Sequence, residues 1–468
     1  GYRNNVDGGF ADHCLLSRSC SAGVPFMSWP ESLVGAPSSL QDVTSVHKYC
    51  VAAFLFSCHI ISYADRFNIS VAILHMSAEY GYSSEDQGRI FASFFCGYLI
   101  TQVLGGWMTS KSSAVGPKSC LILACTTWSI ITVFTPHCAD HSFAALVFSR
   151  VALGAAEGLY IPACTALIAS WYAPNESATF VALGHMGQCL GAVVAMAAAP
   201  LAAYNWRLLF HGFGVLGLVW SALFFAFGSD GPGRCNPALP FDIADIEARD
   251  YGSVVSNKKC KETTYSAILV NPAFWAVAAA HFAYNWSWYL MLSWLPSFLV
   301  QSYDVKLGDV GKYAMWPYIA AACICIIWAR VADCSVQNRL LTLSHSRMLS
   351  QSICCLGPTS ALLALQFVIA KNVVVAAVLV TCAVGVQTAG MSGFMANIVD
   401  VGGVLNSGRV AAASNTIATL PGAVGNLIVG FLLARGGGWP AVFGSMIVLH
   451  ALGLGAFVSF ARFDEVSF

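Results

Sequence analysis

Four ionisable residues interrupt apolar stretches of this 468-residue chain, and their types set its chemistry. Asp65 and Arg66 lie in Ser62-Tyr-Ala-Asp-Arg-Phe-Asn-Ile-Ser70, and Arg150 and Glu157 in Ser149-Arg-Val-Ala-Leu-Gly-Ala-Ala-Glu-Gly158. A charge near the centre of a bilayer costs about 2.5–3.5 kcal/mol on insertion scales, so such residues persist when paired, hydrated or functional. Arg150 and Glu157 are nearly two helical turns apart and so project from one helix face, about 10 Å apart along the axis. Gly154, Ala155 and Gly158 beside them permit close helix approach. Two readings follow. In one, Arg66 with Glu157, or Asp65 with Arg150, form fixed salt bridges that lock a bundle. In the other, the arginines hold an anionic group by bidentate hydrogen bonds while Glu157 takes up a proton or senses a cation.

The surrounding chain reads as membrane protein. It is 57% hydrophobic and 10% charged, whereas soluble domains carry about 25% charged residues. Lys+Arg and Asp+Glu are equal at 23 each, which gives nucleic acid nothing to attract. The 18 cysteines sit mostly singly in apolar runs and read as small buried hydrophobes. The adjacent pair Cys354-Cys355 has no His or further Cys at metal-ligand spacing, so no metal and no resident cofactor are expected. Gly402-Gly403 and Gly436-Gly437-Gly438 lack a following Lys-Ser/Thr and are not phosphate cradles, and no hydrolase elbow or zinc-protease motif appears. An enzyme or an ATP-driven pump is therefore not expected.

A spanning helix needs about 20 mostly apolar residues to cross about 30 Å of hydrocarbon. Twelve segments qualify: 50–76, 88–109, 118–136, 142–172, 177–203, 207–228, 271–300, 309–331, 347–370, 372–397, 408–434 and 440–461, termed spans 1 to 12. The long polar gap 229–270 divides them six and six. The expected organisation is a flexible tail (1–46), a six-helix bundle (47–228), a central linker (229–270), a second six-helix bundle (271–462) and a short tail (463–468). With both termini on the cytoplasmic side, that side receives 15 of the 23 Lys/Arg and the opposite loops six, as the positive-inside bias requires. Arg66 and Arg150 are the two left inside spans.

These blocks carry a family likeness. Tyr63-Ala-Asp-Arg-Phe-Asn-Ile-Ser70, Ser93 to Tyr98 with Thr101 to Gly106, Arg150 through Glu157-Gly158 to Pro162-Ala163, Trp171-Tyr-Ala-Pro-Asn-Glu176 and Asn285-Trp286 to Trp294-Leu-Pro296 are joined by Ala332-Asp333, Asn415-Thr416 and Pro421-Gly422. Together they resemble the anion:cation symporter branch of the major facilitator superfamily, the group of sialin, vesicular glutamate transporters and plant plastid phosphate transporters. The resemblance implies an all-α fold of two six-helix bundles with a central site reached alternately from either side. By matching position it implies substrate contacts at Arg66, Arg150, Tyr98, Tyr284 and Asn415, and coupling at Glu157 with His281 as a second titratable group. Gating is implied at Lys111 and Asp333.

Departures narrow the reading. Tyr284 stands where vesicular glutamate transporters carry a third arginine, and Phe91 where they carry a histidine, which disfavours glutamate. Ser110 replaces the acid that normally braces the gate after span 2. The function expected is secondary active transport of a small anion, inorganic phosphate or an organic carboxylate, coupled to H⁺ or Na⁺, by a monomer embedded in the lipid bilayer. The alternatives are an anion conductance through the same basic cavity, or a transporter-like receptor without flux.

Overall fold

The computed structural model describes residues 40–108, 116–172, 174–231, 264–367 and 372–466. The twelve spans lie within His47–Phe468. Spans 1 to 3 are α1 (Leu40–Tyr80), α2 (Ser84–Met108) and α3 (Pro117–His141). Span 4 is two helices, α4 (Phe143–Glu157) and α5 (Tyr160–Trp171). Span 5 is α6 (Pro174–Ala197) with the start of α7 (Ala199–Phe227), which becomes span 6 after an extended residue at Asn205.

In the second half, α8 (Tyr265–Val270) precedes span 7, α9 (Pro272–Tyr303). A 3-10 turn (Leu307–Asp309) and α10 (Gly311–Ala314) lead into span 8, α11 (Trp316–Gln337), and α12 (Leu343–Phe367) is span 9. Span 10 joins α13 (Val373–Gln387), a 3-10 turn at Thr388–Met391 and the start of α14 (Phe394–Ala434). The rest of α14 is span 11, and α15 (Gly438–Phe460) is span 12. No strand occurs among the described residues, as lipid demands of a chain that must satisfy its backbone internally. Nine of the described spans are long and apolar enough to cross a bilayer by composition alone.

Local sequence sets these ends. Pro117, Pro272 and Pro317 occupy first turns, where a missing N–H has no cost. Ser142, Asn271 and Asn372 cap helices by accepting from Ala145 N (3.2 Å), Ala273 N (2.9 Å) and Val374 N (2.9 Å).

The structure departs from the hydropathy reading at four places. Span 4 is broken immediately after Glu157, because Pro162 offers no N–H to the carbonyl of Gly158. Leu159 N turns instead to Ala156 O at 3.4 Å, and the Ala155 carbonyl thereby released accepts Thr101 Oγ1 of α2 at 2.6 Å. Span 10 continues past 397 to a chain reversal at Gly403, whose φ of +57° and ψ of −167° only glycine adopts readily. Residues 265–270, Tyr-Ser-Ala-Ile-Leu-Val at the end of the expected linker, form α8 and bury Ile268 in a cluster with Phe274 and Val401. The short tail is anchored, with Val466 N donating to Val401 O at 3.0 Å and Asn397 Nδ2 to Arg462 O at 2.7 Å.

Glycines bring the spans to the distances the site needs. A Cβ at Gly97 would collide with the carbonyl of Val151, and one at Gly154 with the carbonyl of Phe94, so α2 and α4 pack backbone to backbone. The two halves meet through span 2 against span 11 and span 5 against span 8. At the face carrying the loop between spans 1 and 2, a Cβ at Gly88 would lie 2.7 Å from Asn426 O and one at Gly430 2.7 Å from Ser84 O.

Charge braces hold both faces. On the loop 1–2 face, Arg207 Nη2 bridges Glu79 Oε1 and Asp140 Oδ1, each at 2.6 Å, while Tyr80 donates to Asp140 and Trp206 Nε1 to Glu79 Oε2 at 2.8 Å. On the opposite face, the linker face, Arg347 Nε reaches Asp400 Oδ2 at 2.8 Å and joins spans 9 and 10. Trp171 and Trp206 are buried and donate from their indole N–H groups to Ser229 O at 3.0 Å and Glu79 Oε2 at 2.8 Å.

Gly88→Val and Gly430→Val should each cost about 1–3 kcal/mol, the usual price of overpacking. Melting of the detergent-solubilised variants measures this, and unchanged melting temperatures would refute the close approach.

Candidate functional site

The site assembles on α1, α2 and α4. Asp65, Arg66, Arg150 and Glu157 are all buried, with no more than 3% of any of them exposed. Arg66 donates from Nε (2.9 Å) and Nη2 (2.7 Å) to one oxygen of Glu157, Oε2, and Ser62 Oγ adds a third donor to that atom at 3.2 Å. The second carboxylate oxygen, Oε1, is buried without a hydrogen bond among the described residues.

Arg66 sits in an aromatic cage. Its guanidinium carbon lies 4.7 Å from the Phe94 ring centroid, 4.8 Å from Tyr98 and 4.9 Å from Tyr63. Desolvated cation–π contacts of this kind are worth up to about 2 kcal/mol or more. Tyr98 thus belongs to the cluster, and close packing at Gly97 and Gly154 places it there.

Arg150 is held differently. One nitrogen, Nη2, donates to the backbone carbonyl of Arg66 at 3.1 Å, and the face of Phe94 lies 5.6 Å from its guanidinium carbon. Nε and Nη1 have no hydrogen-bond acceptor among the described residues. Asp65 takes Thr132 Oγ1 at 2.9 Å and Asn68 Nδ2 at 3.3 Å in place of Arg150. Of the two salt bridges considered from sequence, the structure therefore forms Arg66–Glu157 and leaves Arg150 without a carboxylate.

The remaining sequence candidates lie elsewhere. His281 Nδ1 pairs with Ser414 Oγ at 3.0 Å, and its ring stacks on Phe394 at 4.9 Å. Tyr284 lies against the other side of that group, 5.4 Å from Phe394, and its backbone carbonyl accepts Gln387 Nε2 at 2.6 Å. Asn415 is half-buried and contributes its carbonyl to Thr419 Oγ1 at 2.8 Å. None of the three hydrogen-bonds or stacks with Arg66 or Glu157 among the described residues. Asp333 is exposed and forms no ion pair with a described basic residue, and Lys111 and Ser110 lie outside the described residues.

Ser62, Tyr63, Phe94, Asn68, Thr101 and Thr132 take part without having been singled out from sequence. Ser62 had a signal, since it stands one helical turn before Arg66 on the same face. Thr132 had none, because a hydroxyl in an apolar run more often bonds its own helix.

Two six-span bundles, the first of which buries a cluster of paired and unpaired charge, define a polytopic membrane transporter. The chain belongs to the Major Facilitator Superfamily, whose sequence pattern matches residues 55–426. Within it the chain is a member of the anion:cation symporter branch. It is 30% identical over 425 residues to the chloroplastic ascorbate transporter of Arabidopsis thaliana, covering 90% of this chain and 76% of that one. It is 28% identical over 466 residues to sialin of Homo sapiens, covering 92% of each. Among solved structures, a D-xylose-proton symporter shares the fold with a TM-score of 0.65 at 13% identity, covering 89% of this chain and 98% of the other. These relatives are transporters, and the chain is not an enzyme.

Arg66→Ala leaves Glu157 as an uncompensated buried charge and should cost about 3–5 kcal/mol. The double variant Arg66→Ala/Glu157→Gln should recover most of that loss in a thermal-unfolding cycle; strict additivity would contradict the pairing.

Proposed function

We propose that this protein is a secondary active transporter of a small anion, a phosphate or an organic carboxylate, that exchanges Glu157 for the anion at Arg66 in the course of each cycle. The observation that carries the reading is the asymmetry of the two arginines. Arg66 is paired with Glu157, whereas Arg150 keeps two buried donor nitrogens with no acceptor among the described residues. A buried guanidinium with unmet donors is a site for an oxyanion, and its planar fork suits carboxylate or phosphate. The ascorbate in the plant relative's name is an organic oxyanion whose charge lies on an enediol rather than a carboxylate.

Coupling follows from charge arithmetic. With both carboxylates ionised, Asp65 and Glu157 contribute two negative charges and Arg66 and Arg150 two positive ones, and the cluster is neutral. A proton or another cation at Glu157 releases Arg66 and leaves one net positive charge for the anion. With no cation, Glu157 and the anion compete for the same guanidinium, and burial makes that competition severe. The arrangement favours joint binding of cation and anion, which is symport, and Glu157 suits a proton while leaving Na⁺ as the second candidate. His281 is engaged with Ser414 away from this group, which leaves the coupling role with Glu157. The excess of Lys/Arg on the linker face supports termini on the cytoplasmic side. Alternating access then opens the cluster first to one face and then to the other.

In proteoliposomes, Arg150→Ala should abolish anion counterflow while the protein remains folded, and full activity in that variant would sink the assignment. Glu157→Gln should retain counterflow but lose accumulation driven by an imposed pH gradient. Accumulation that persists in Glu157→Gln, or that follows Na⁺ alone, would place coupling elsewhere.

A further inference from the structure

An imidazole is buried beside the charge pair, on its linker side. His59 precedes Arg66 on span 1 by nearly two helical turns, about 10 Å closer to the linker face, and is 6% exposed. Ser62, which donates to Glu157 Oε2 at 3.2 Å, occupies the turn between them on the same helix face. Span 4 supplies the facing group. Tyr160, just past the break after Glu157, is fully buried; its ring meets His59 edge-on at 5.6 Å, and its hydroxyl accepts Gln188 Nε2 of span 5 at 3.4 Å. His59 and Tyr160 therefore form a second rung next to Ser62 and Glu157.

The ring is oriented to exchange a proton. Nδ1 lies 2.7 Å from Leu55 O, an atom that can only accept, so in the neutral imidazole Nδ1 carries the hydrogen and Nε2 keeps its lone pair. Nε2 makes no hydrogen bond among the described residues and faces span 5, where a Cβ at Gly184 would lie 2.9 Å from it. A Cβ at Gly187 would lie 3.0 Å from the Cβ of His59, so glycine at both places gives the ring its room. The titratable groups around it are Tyr160 on α5 and His185 on α6. His185 is half-buried between the halves, 6.0 Å from Trp288 of span 7. The halves close on each other at the loop 1–2 face through Gly88 and Gly430, so in this conformation the linker face is the outlet for a proton leaving Glu157.

We infer that His59 is the relay through which Glu157 exchanges its proton with the linker face. This inference rests on the reading of Glu157 as the proton-coupled carboxylate and adds the route. As the Glu157 O–H breaks, the Ser62 hydroxyl, with water across the remaining gap, accepts that proton and passes on its own. An N–H forms at Nε2, and the imidazolium then gives that proton from Nε2 to water on the linker side. Nδ1 holds Leu55 O throughout, so the ring has no need to turn. An imidazole suits the step because its acid and base forms interconvert near neutral pH.

Proteoliposomes separate the two halves of the cycle, with ascorbate and inorganic phosphate each used as the probe anion. In counterflow the loaded carrier returns without giving up its proton, whereas net uptake driven by an imposed pH gradient needs release in every cycle. His59→Asn keeps a donor where Nδ1 stands and removes Nε2. It should slow net uptake about tenfold or more while counterflow stays within about twofold of the wild type, since a positioned proton-transfer group contributes about 10²–10⁴-fold to its step. Uptake in this variant should slow further in D₂O, which a packing defect does not produce, and should still reach the accumulation of the wild type. Gly184→Ala keeps the imidazole but sets a methyl group against Nε2, and should slow uptake in the same selective way. Wild-type rates in both variants, or uptake and counterflow falling together in both, would overturn the relay and leave the coupling role of Glu157 standing. Accumulation lost altogether in His59→Asn would move coupling to His59 itself and overturn the relay as well. A wild type that exchanges either anion but does not accumulate it on a pH gradient would overturn the proton reading of Glu157 together with this inference, and counterflow absent with both anions would overturn the anion reading too.

Discussion

One buried ion pair organises the first half of this molecule. Arg66 and Glu157 meet on spans that are 91 positions apart in sequence, inside a volume that excludes water. Leaving either charge alone there would cost several kcal/mol, so spans 1 and 4 are held in register by the penalty for separating them as much as by their attraction. The rest of the cluster depends on that register. Arg150 reaches the backbone carbonyl of Arg66, Phe94 faces both guanidinium groups, and Ser62 shares the Glu157 oxygen.

Glycine makes the register attainable. Spans 2 and 4 approach closely at Gly97 and Gly154, and Phe94 of span 2 lies against both Arg66 of span 1 and Arg150 of span 4. The same device closes the halves against each other at Gly88 and Gly430. Apolar lipid gives helices no hydrophobic reason to associate, so such contacts carry the specificity that a water-soluble core would obtain from burial. A transporter must also break some of these contacts in each cycle, and backbone-to-backbone packing with few interlocked side chains is easy to part and re-form.

Much of this was legible in the letters. Twelve apolar runs, a polar gap at the midpoint and four misplaced charges suffice for the architecture and for the location of its chemistry, because the membrane tolerates few other solutions. What the sequence withheld was pairing. Asp65 and Arg66 are adjacent, and nothing in their neighbours says that Glu157 takes Arg66 while Thr132 takes Asp65. The break after Glu157 was encoded in Pro162 but hidden by a hydropathy that continues through it. The second-half candidate His281 hydrogen-bonds Ser414 within its own bundle, a pairing that side-chain periodicity alone does not decide.

The distance between Arg66 and Glu157 along the chain also bears on how the protein is made. Span 1 enters the bilayer during synthesis with Asp65 and Arg66 adjacent and with Glu157 not yet assembled. Of the nine spans that qualify on composition, the one from His47 to Tyr80 has the lowest mean hydropathy, 1.2. Two charges at about 2.5–3.5 kcal/mol each weigh heavily on so modest a segment. Span 1 is therefore a weak passenger of the insertion machinery until spans 3 and 4 deliver Thr132 and Glu157. A defect in span 4 would then be felt first as a failure to retain span 1, before any question of transport arises.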